Sequence, residues 1–183
     1  DELKRMGQHD NTLINFVEGD NGASPEGGLH GTTNDTGTLT NRAPAPDEWL
    51  VDSLDRLGGP DAHAHYPIGW AWAMNTPFRY FKRIGSHLGG IRNGMVLSWP
   101  AKIQNTGGIR TQFPHLIDVV PTILEAATIP APQKVDGIAQ QAMDGVSLQY
   151  SFSSAKTPEK SRSQYFELLG NRSLYRVGWI ASP

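Results

Sequence analysis

Two short stretches of this chain hold residues whose types and spacing could do chemistry: Glu18-Gly-Asp20-Asn21-Gly-Ala-Ser, and the run from Lys82 to Gly90. In the first, a carboxylate and a side-chain amide stand side by side at the end of an apolar run. Oxygen-only donors of this kind suit a hard cation such as Ca²⁺ or Mg²⁺. A turn outside the carboxyl end of a strand is also where ligands collect in open α/β sheets. The alternative is an ordinary Asp-Asn-Gly turn, built from the residues turns prefer. In the second stretch, Lys82 follows an aromatic and basic segment and precedes a glycine-rich one. Its ammonium could act as a point charge on sulfate or phosphate oxygens, stabilising charge that develops in a transition state. The alternative is a solvated lysine beside Arg79 and Arg83. His87, just ahead of Gly89-Gly90, could donate a hydrogen bond to the same anion or serve as a general acid. Of the other histidines, His63 and His65 lie two apart in a loop, which is weak evidence for metal, and His30 and His115 show no ligand spacing.

Several chemistries are excluded. There is no G-x-S-x-G elbow, no G-x-G-x-x-G after a strand and no P-loop, so serine hydrolysis and nucleotide cofactors lack support. Cysteine is absent, which removes disulfides and thiolate metal sites. A formal net charge of −2 offers no general attraction for a phosphate backbone, so no nucleic-acid partner is expected. No apolar run approaches the ~20 residues of a membrane span, and Asp1-Glu-Leu-Lys-Arg lacks the apolar stretch of a secretory leader. The compartment stays open.

The elements that must position these residues follow an α/β pattern, in 183 residues of which 38% are hydrophobic and 19% charged. Asp1 to Met6 reads as the last turns of a helix stopped by Gly7. Thr12 to Val17 reads as a buried strand feeding the Asp20-Asn21 turn. From Ala23 to Ala64 runs a long loop, broken by a helical stretch around Asp47 to Leu57. The aromatic segment from Tyr66 leads to Lys82, the glycines of 89 and 90 permit close backbone approach, and Met95 to Trp99 forms a second strand stopped by Pro100. A helix follows with Asp118 at its N-cap, Pro121 in its first turn, and Val119, Val120, Ile123, Leu124 and Ala127 spaced for one apolar face. Pro130 to Val146 is Pro- and Gly-rich, Ser153 to Arg162 is polar linker, and Tyr165 to Trp179 is strand material with a turn at Gly170-Asn171. Both ends read as those of a fragment.

The order and wording of these segments resemble the sulfatase family of the alkaline-phosphatase-like superfamily. The residues carrying the resemblance are Asp10-Asn-Thr-Leu-Ile, Asp20-Asn-Gly-Ala-Ser, Gly69-Trp-Ala, Thr76-Pro-Phe, Lys82 and Ser86-His-Leu-Gly-Gly-Ile-Arg-Asn-Gly-Met-Val. It continues through Ser98-Trp-Pro, Ile109 to Phe113, His115-Leu-Ile-Asp-Val-Val-Pro-Thr, Asp144-Gly-Val-Ser and Tyr165-Phe-Glu-Leu-Leu-Gly-Asn-Arg. The resemblance implies an α/β, alkaline-phosphatase-like sheet with flanking helices, present as a partial domain. It places residues 1–150 in the C-terminal part of the catalytic domain and 151–183 in a linker and the start of a C-terminal subdomain. It assigns Asp20 and Asn21 to a divalent cation, calcium ahead of magnesium, Lys82 to the sulfate, and His87 to the same motif.

The reaction the resemblance implies is sulfate-ester hydrolysis by a formylglycine nucleophile, assisted by metal. Formylglycine arises from Cys or Ser within C/S-x-P-x-R, and the nearest string, Ser98-Trp-Pro-Ala-Lys102, carries Lys where Arg belongs. The early Asp-Asp pair of the family's metal shell is also absent. The chain alone is therefore expected to be inactive, with a sulfate ester as substrate and a missing N-terminal half as partner. Uncovered sheet edges and apolar faces would favour self-association. The rivals are a phosphoester hydrolase of the same superfamily and a non-catalytic structural or interaction fragment. Against the family pattern, Asn15 interrupts the first strand, Thr128 replaces a glycine at a helix end, and Arg176-Val177 stands where His-Asp is usual.

Overall fold

The computed structural model describes residues 1–40 and 46–183, so part of the long loop lies outside the described residues. In chain order the elements are α1 (Glu2–Arg5), β1 (Ile14–Val17), α2 (Asp35–Leu39), α3 (Asp47–Asp52), α4 (Ile68–Asn75), α5 (Leu88–Ile91) and β2 (Met95–Ser98). Then come α6 (Val119–Ala126) and the strands β3 (Lys134–Val135), β4 (Ile138–Ala139), β5 (Ser163–Leu168), β6 (Asn171–Arg176) and β7 (Trp179–Ala181). They form two compact units. One comprises Asp1–Glu18, Met95–Arg162 and Arg176–Gly178, the other Gly19–Gly94, Ser163–Tyr175 and Trp179–Pro183. The small sheets and few helices are consistent with a partial α/β domain.

In the first unit, β1 and β2 pair antiparallel, with Phe16 opposite Val96 and Asn15 opposite Leu97. The period of two divides this ribbon into faces. Met95 and Leu97 pack on the buried cluster of Trp99, Leu148 and Phe152. Phe16 and Val96 are each 62% exposed on the other face. The expected buried strand is thus covered on one side only, since two strands cannot shield both faces.

Helix α6 also departs from its sequence pattern. Val120 and Ile123 of the expected apolar face are about half exposed, whereas Asp118 and Thr122 are buried. Hydrogen bonds decide this. The Thr122 hydroxyl donates to the Asp118 carbonyl at 2.6 Å and accepts from the Leu148 amide at 2.9 Å. The Asp118 carboxylate does not cap α6. It accepts from the His115 amide at 2.7 Å, from the Val146 amide at 2.8 Å and from Arg162 at 2.6 and 2.8 Å. A buried carboxylate needs such a set of donors, and it dictates which helix face turns inward.

The end of α6 closes as a Schellman motif. The Ile129 amide donates to the Leu124 carbonyl at 2.9 Å and the Thr128 amide to Glu125 at 3.1 Å, with Thr128 at φ 58° where glycine is usual. Strands β3 and β4 pair across Asp136-Gly137, at φ 49° and 81°. The three-stranded sheet β5-β6-β7 turns at Leu169-Gly170 and Val177-Gly178, again with two positive φ angles in succession. Paired positive φ defines the tight turns whose twist matches that of the strands. No helix among the described residues is long and apolar enough to cross a membrane.

Candidate functional site

Asp20, Asn21, Lys82 and His87 all fall within the second unit. The turn after β1 is pinned from several sides. Gly22 donates its amide to the Gly90 carbonyl at 3.0 Å, and a Cβ at Gly22 would stand 1.7 Å from the Gly89 oxygen. Only glycine permits that approach. The Asn93 side chain donates to the main-chain oxygen of Asn21. The Ala23 amide donates to Asn75 Oδ1 at 3.0 Å, while Asn75 Nδ2 donates to the Tyr80 carbonyl at 3.0 Å. The Lys82 amide then donates to the Ala23 carbonyl at 3.0 Å. The buried Asn75 side chain, at the end of α4, therefore ties the Asp20-Asn21 turn to the lysine segment.

The lysine segment is held in a conformation it would not choose alone. Tyr80 and Arg83, on either side of Lys82, have φ of 68° and 79°. Such left-handed non-glycine residues persist where surrounding bonds over-determine them. Those bonds are the Asn75–Tyr80 and Lys82–Ala23 contacts, together with the Gly89 amide donating to the Arg79 carbonyl at 3.0 Å. Cβ atoms at Gly89 and Gly90 would meet backbone oxygens of Tyr80 and Ile84 at 2.2 Å, so this close approach also depends on glycine.

The head of Lys82 lies 3.2 Å from Glu26 Oε2, and Arg83 Nη2 lies 2.6 Å from Glu26 Oε1. Ser24 Oγ donates to Glu26 Oε2 at 2.7 Å, and the Ser24 amide donates to the Tyr66 hydroxyl at 2.9 Å. The Ser24 hydroxyl foremost, with Lys82 and Arg83 behind it, holds the Glu26 carboxyl below the usual carboxylate range against the opposing push of burial. His87 precedes α5, with Nδ1 at 2.8 Å from Ser86 Oγ and its ring 4.5 Å from that of Tyr80. Backbone bonds thus bring Asp20, Asn21 and Lys82 into one loop cluster. The His87 ring touches Ser86 and Tyr80, so His87 joins the cluster through Tyr80 of the lysine segment as well as through the α5 turn that holds Gly22.

Asp20 and Asn21 fit a hard cation in kind but not in number. Asp20 is exposed and Asn21 half-buried, and neither side chain is hydrogen-bonded among the described residues. Ca²⁺ takes six to eight oxygens, and no group of three or more His, Cys, Asp or Glu side chains gathers as a metal site among the described residues. Ser98-Trp99-Pro100 runs from the end of β2 into the buried Trp99 cluster, which suits a strand exit and not a nucleophile. Glu26, Asn75 and Asn93 were not singled out by sequence reasoning. Glu26 and Lys82 stand 56 positions apart, and no local pattern joins them.

The sulfatase family profile matches residues 1–129. The chain is 31% identical to an arylsulfatase of Klebsiella aerogenes over 170 residues, covering 92% of this chain and 33% of that protein. It is 33% identical to an uncharacterized sulfatase of Schizosaccharomyces pombe over 132 residues, covering 72% of this chain and 22% of the relative. This chain belongs to the sulfatase family. It spans about a third of the length of the first relative and less of the second.

Proposed function

We propose that this chain supplies one side of an arylsulfatase site, in which Asp20 and Asn21 hold a divalent cation and Lys82 contacts the sulfate of the ester. The observation that carries the reading is the Asn75-centred frame. It joins the Asp20-Asn21 turn to the lysine segment through Ala23, and maintains two strained residues to do so. A chain that needed only a turn at Asp20 and a solvated lysine would have no use for that frame.

Within the proposal Asp20 and Asn21 are two of the oxygen donors, for Ca²⁺ in preference to Mg²⁺. When bound, the cation would neutralise charge on the sulfate oxygens, and a formylglycine hydrate not encoded in residues 1–183 would supply the attacking oxygen. Lys82 keeps two of its three ammonium N–H groups for the ester, because Glu26 takes one. His87, with its ring set by Ser86, is the candidate proton donor to the leaving alcohol. The remaining donors would come from polypeptide outside these residues.

Isothermal titration of Ca²⁺ tests the reading, with the chain alone and with a separately supplied polypeptide carrying the C/S-x-P-x-R and Asp-Asp segments. Binding is expected in the pair, with little in the chain alone, and is expected to vanish with Asp20→Ala. A folded pair whose Ca²⁺ binding ignores Asp20 would return Asp20-Asn21-Gly22 to an ordinary turn.

A further inference from the structure

The Glu26 carboxylate lies between two cations, 3.2 Å from Lys82 and 2.6 Å from Arg83. Its own side chain is 15% exposed, whereas those of Lys82 and Arg83 are 36% and 45% exposed. Their open sides can therefore meet a solute anion that Glu26 does not block. Among Glu26, Lys82 and Arg83, two cations against one carboxylate leave a single net positive charge. A sulfate ester carries one negative charge, and a phosphate monoester carries nearly two above its second pKa of about 6.

We propose that Glu26 is a specificity-determining residue, which by neutralising one of the two cations matches the cluster to a singly charged sulfate ester and against a doubly charged phosphate ester. This rests on Lys82 being the sulfate contact. An anion on the open side of Lys82 stands roughly 6 Å from the Glu26 carboxylate, close enough for each extra anionic charge to feel its repulsion. Two carboxylate oxygens engaged by two cations and a serine hydroxyl cannot readily swing away, so the repulsion is fixed in place. Sulfate and phosphate esters have nearly the same shape, and charge is the property left to separate them.

The test is a chemical-shift titration of the full chain with 4-nitrophenyl sulfate and with 4-nitrophenyl phosphate, in metal-free buffer of low ionic strength at about pH 7.5, above the second phosphate pKa. Glu26→Gln is expected to shift the ratio of the two dissociation constants about five- to tenfold toward phosphate, an effect that shrinks as salt is added. Arg83→Ala, which removes a cation and keeps Glu26, is expected to shift the ratio the other way. A folding defect cannot mimic opposite signs, and Arg83→Ala decides by its direction if Glu26→Gln does not fold. Lys82→Ala is expected to abolish binding of both esters. If binding depends on Lys82 but the ratio is unchanged in the variants, the charge-matching inference is overturned and the Lys82 assignment stands. If binding of neither ester depends on Lys82, both are overturned.

Discussion

Replacing Gly22 with alanine puts the most pressure on the frame that holds the Asp20-Asn21 turn. The added methyl would stand 1.7 Å from the Gly89 carbonyl oxygen and 3.3 Å from Asn75 Oδ1. The first contact is with backbone, so no side-chain rotation relieves it, and the two segments of chain must part by roughly 1.5 Å to reach ordinary contact. That separation breaks the 3.0 Å bond from the Gly22 amide to Gly90. The lost bond costs about 1 kcal/mol and the forced repacking about 1–3 kcal/mol, for a total of about 2–4 kcal/mol. Urea denaturation measures the loss, and amide hydrogen exchange locates it, with protection expected to fall at Ala23 and Lys82. Gly69→Ala is the internal control. It lies in α4, where a methyl at this position would meet nothing within 4 Å, and is expected to gain about 0.5–1 kcal/mol from helix propensity. If Gly22→Ala lost under about 0.5 kcal/mol with Lys82 protection unchanged, the close approach would not be what fixes the site.

Three further outcomes follow from the same geometry. Arg162→Met leaves the Asp118 carboxylate, 1% exposed, without its cation and should cost about 3–5 kcal/mol in urea titrations; a loss under about 1 kcal/mol would mean that the carboxylate reaches water. Thr128→Gly relieves a left-handed threonine at the C-terminus of α6 and should stabilise by about 1 kcal/mol; no gain would mean that Thr128 carries no strain in solution. Because the folded-state pKa of Glu26 is depressed, its stabilising contribution is present above the ordinary value of 4.5 and is lost as pH falls through the folded value. The stability gap between the native chain and Glu26→Gln should therefore be widest near neutrality and close below about pH 4.5, and a gap constant with pH would refute the ion-pair account.

What local sequence encodes was legible. The stop at Gly7, the strand ending at Val17, the strand from Met95, which ends at Ser98 one residue short of the expected Trp99, the helix after Asp118 and the turn near Gly170 all rest on residues acting within a few positions of one another. Burial was not legible in the same way. The apolar spacing of α6 pointed to Val120 and Ile123 as core, but the inward face is set by Asp118 and Thr122 through Val146, Leu148 and Arg162, which lie well downstream. An unpaired buried carboxylate costs more free energy than two half-exposed aliphatic side chains, so the polar network wins. Asp136-Gly137, inside a stretch read as merely Pro- and Gly-rich, carried the strongest short-range hairpin signal and marks the β3–β4 turn.

The candidate site divides along the same line. Asp20, Asn21, Lys82 and His87 could be named from residue type together with the sulfatase resemblance, because each stands in a recognisable string. Glu26 and Asn75 could not, since their meaning comes from partners across the fold: Lys82 and Arg83 for the carboxylate, Ala23 and Tyr80 for the amide. A residue that touches substrate or metal is constrained by that chemistry and leaves a motif, whereas a residue that sets the charge or angle of another is constrained only by distance in space. If charge matching at Lys82 separates sulfate from phosphate esters, the selectivity of this site lies in a residue of the second kind. In this chain the carboxylate nearest the proposed anion-facing lysine would then be informative about substrate where the proposed metal turn, which recognises only a cation, is not.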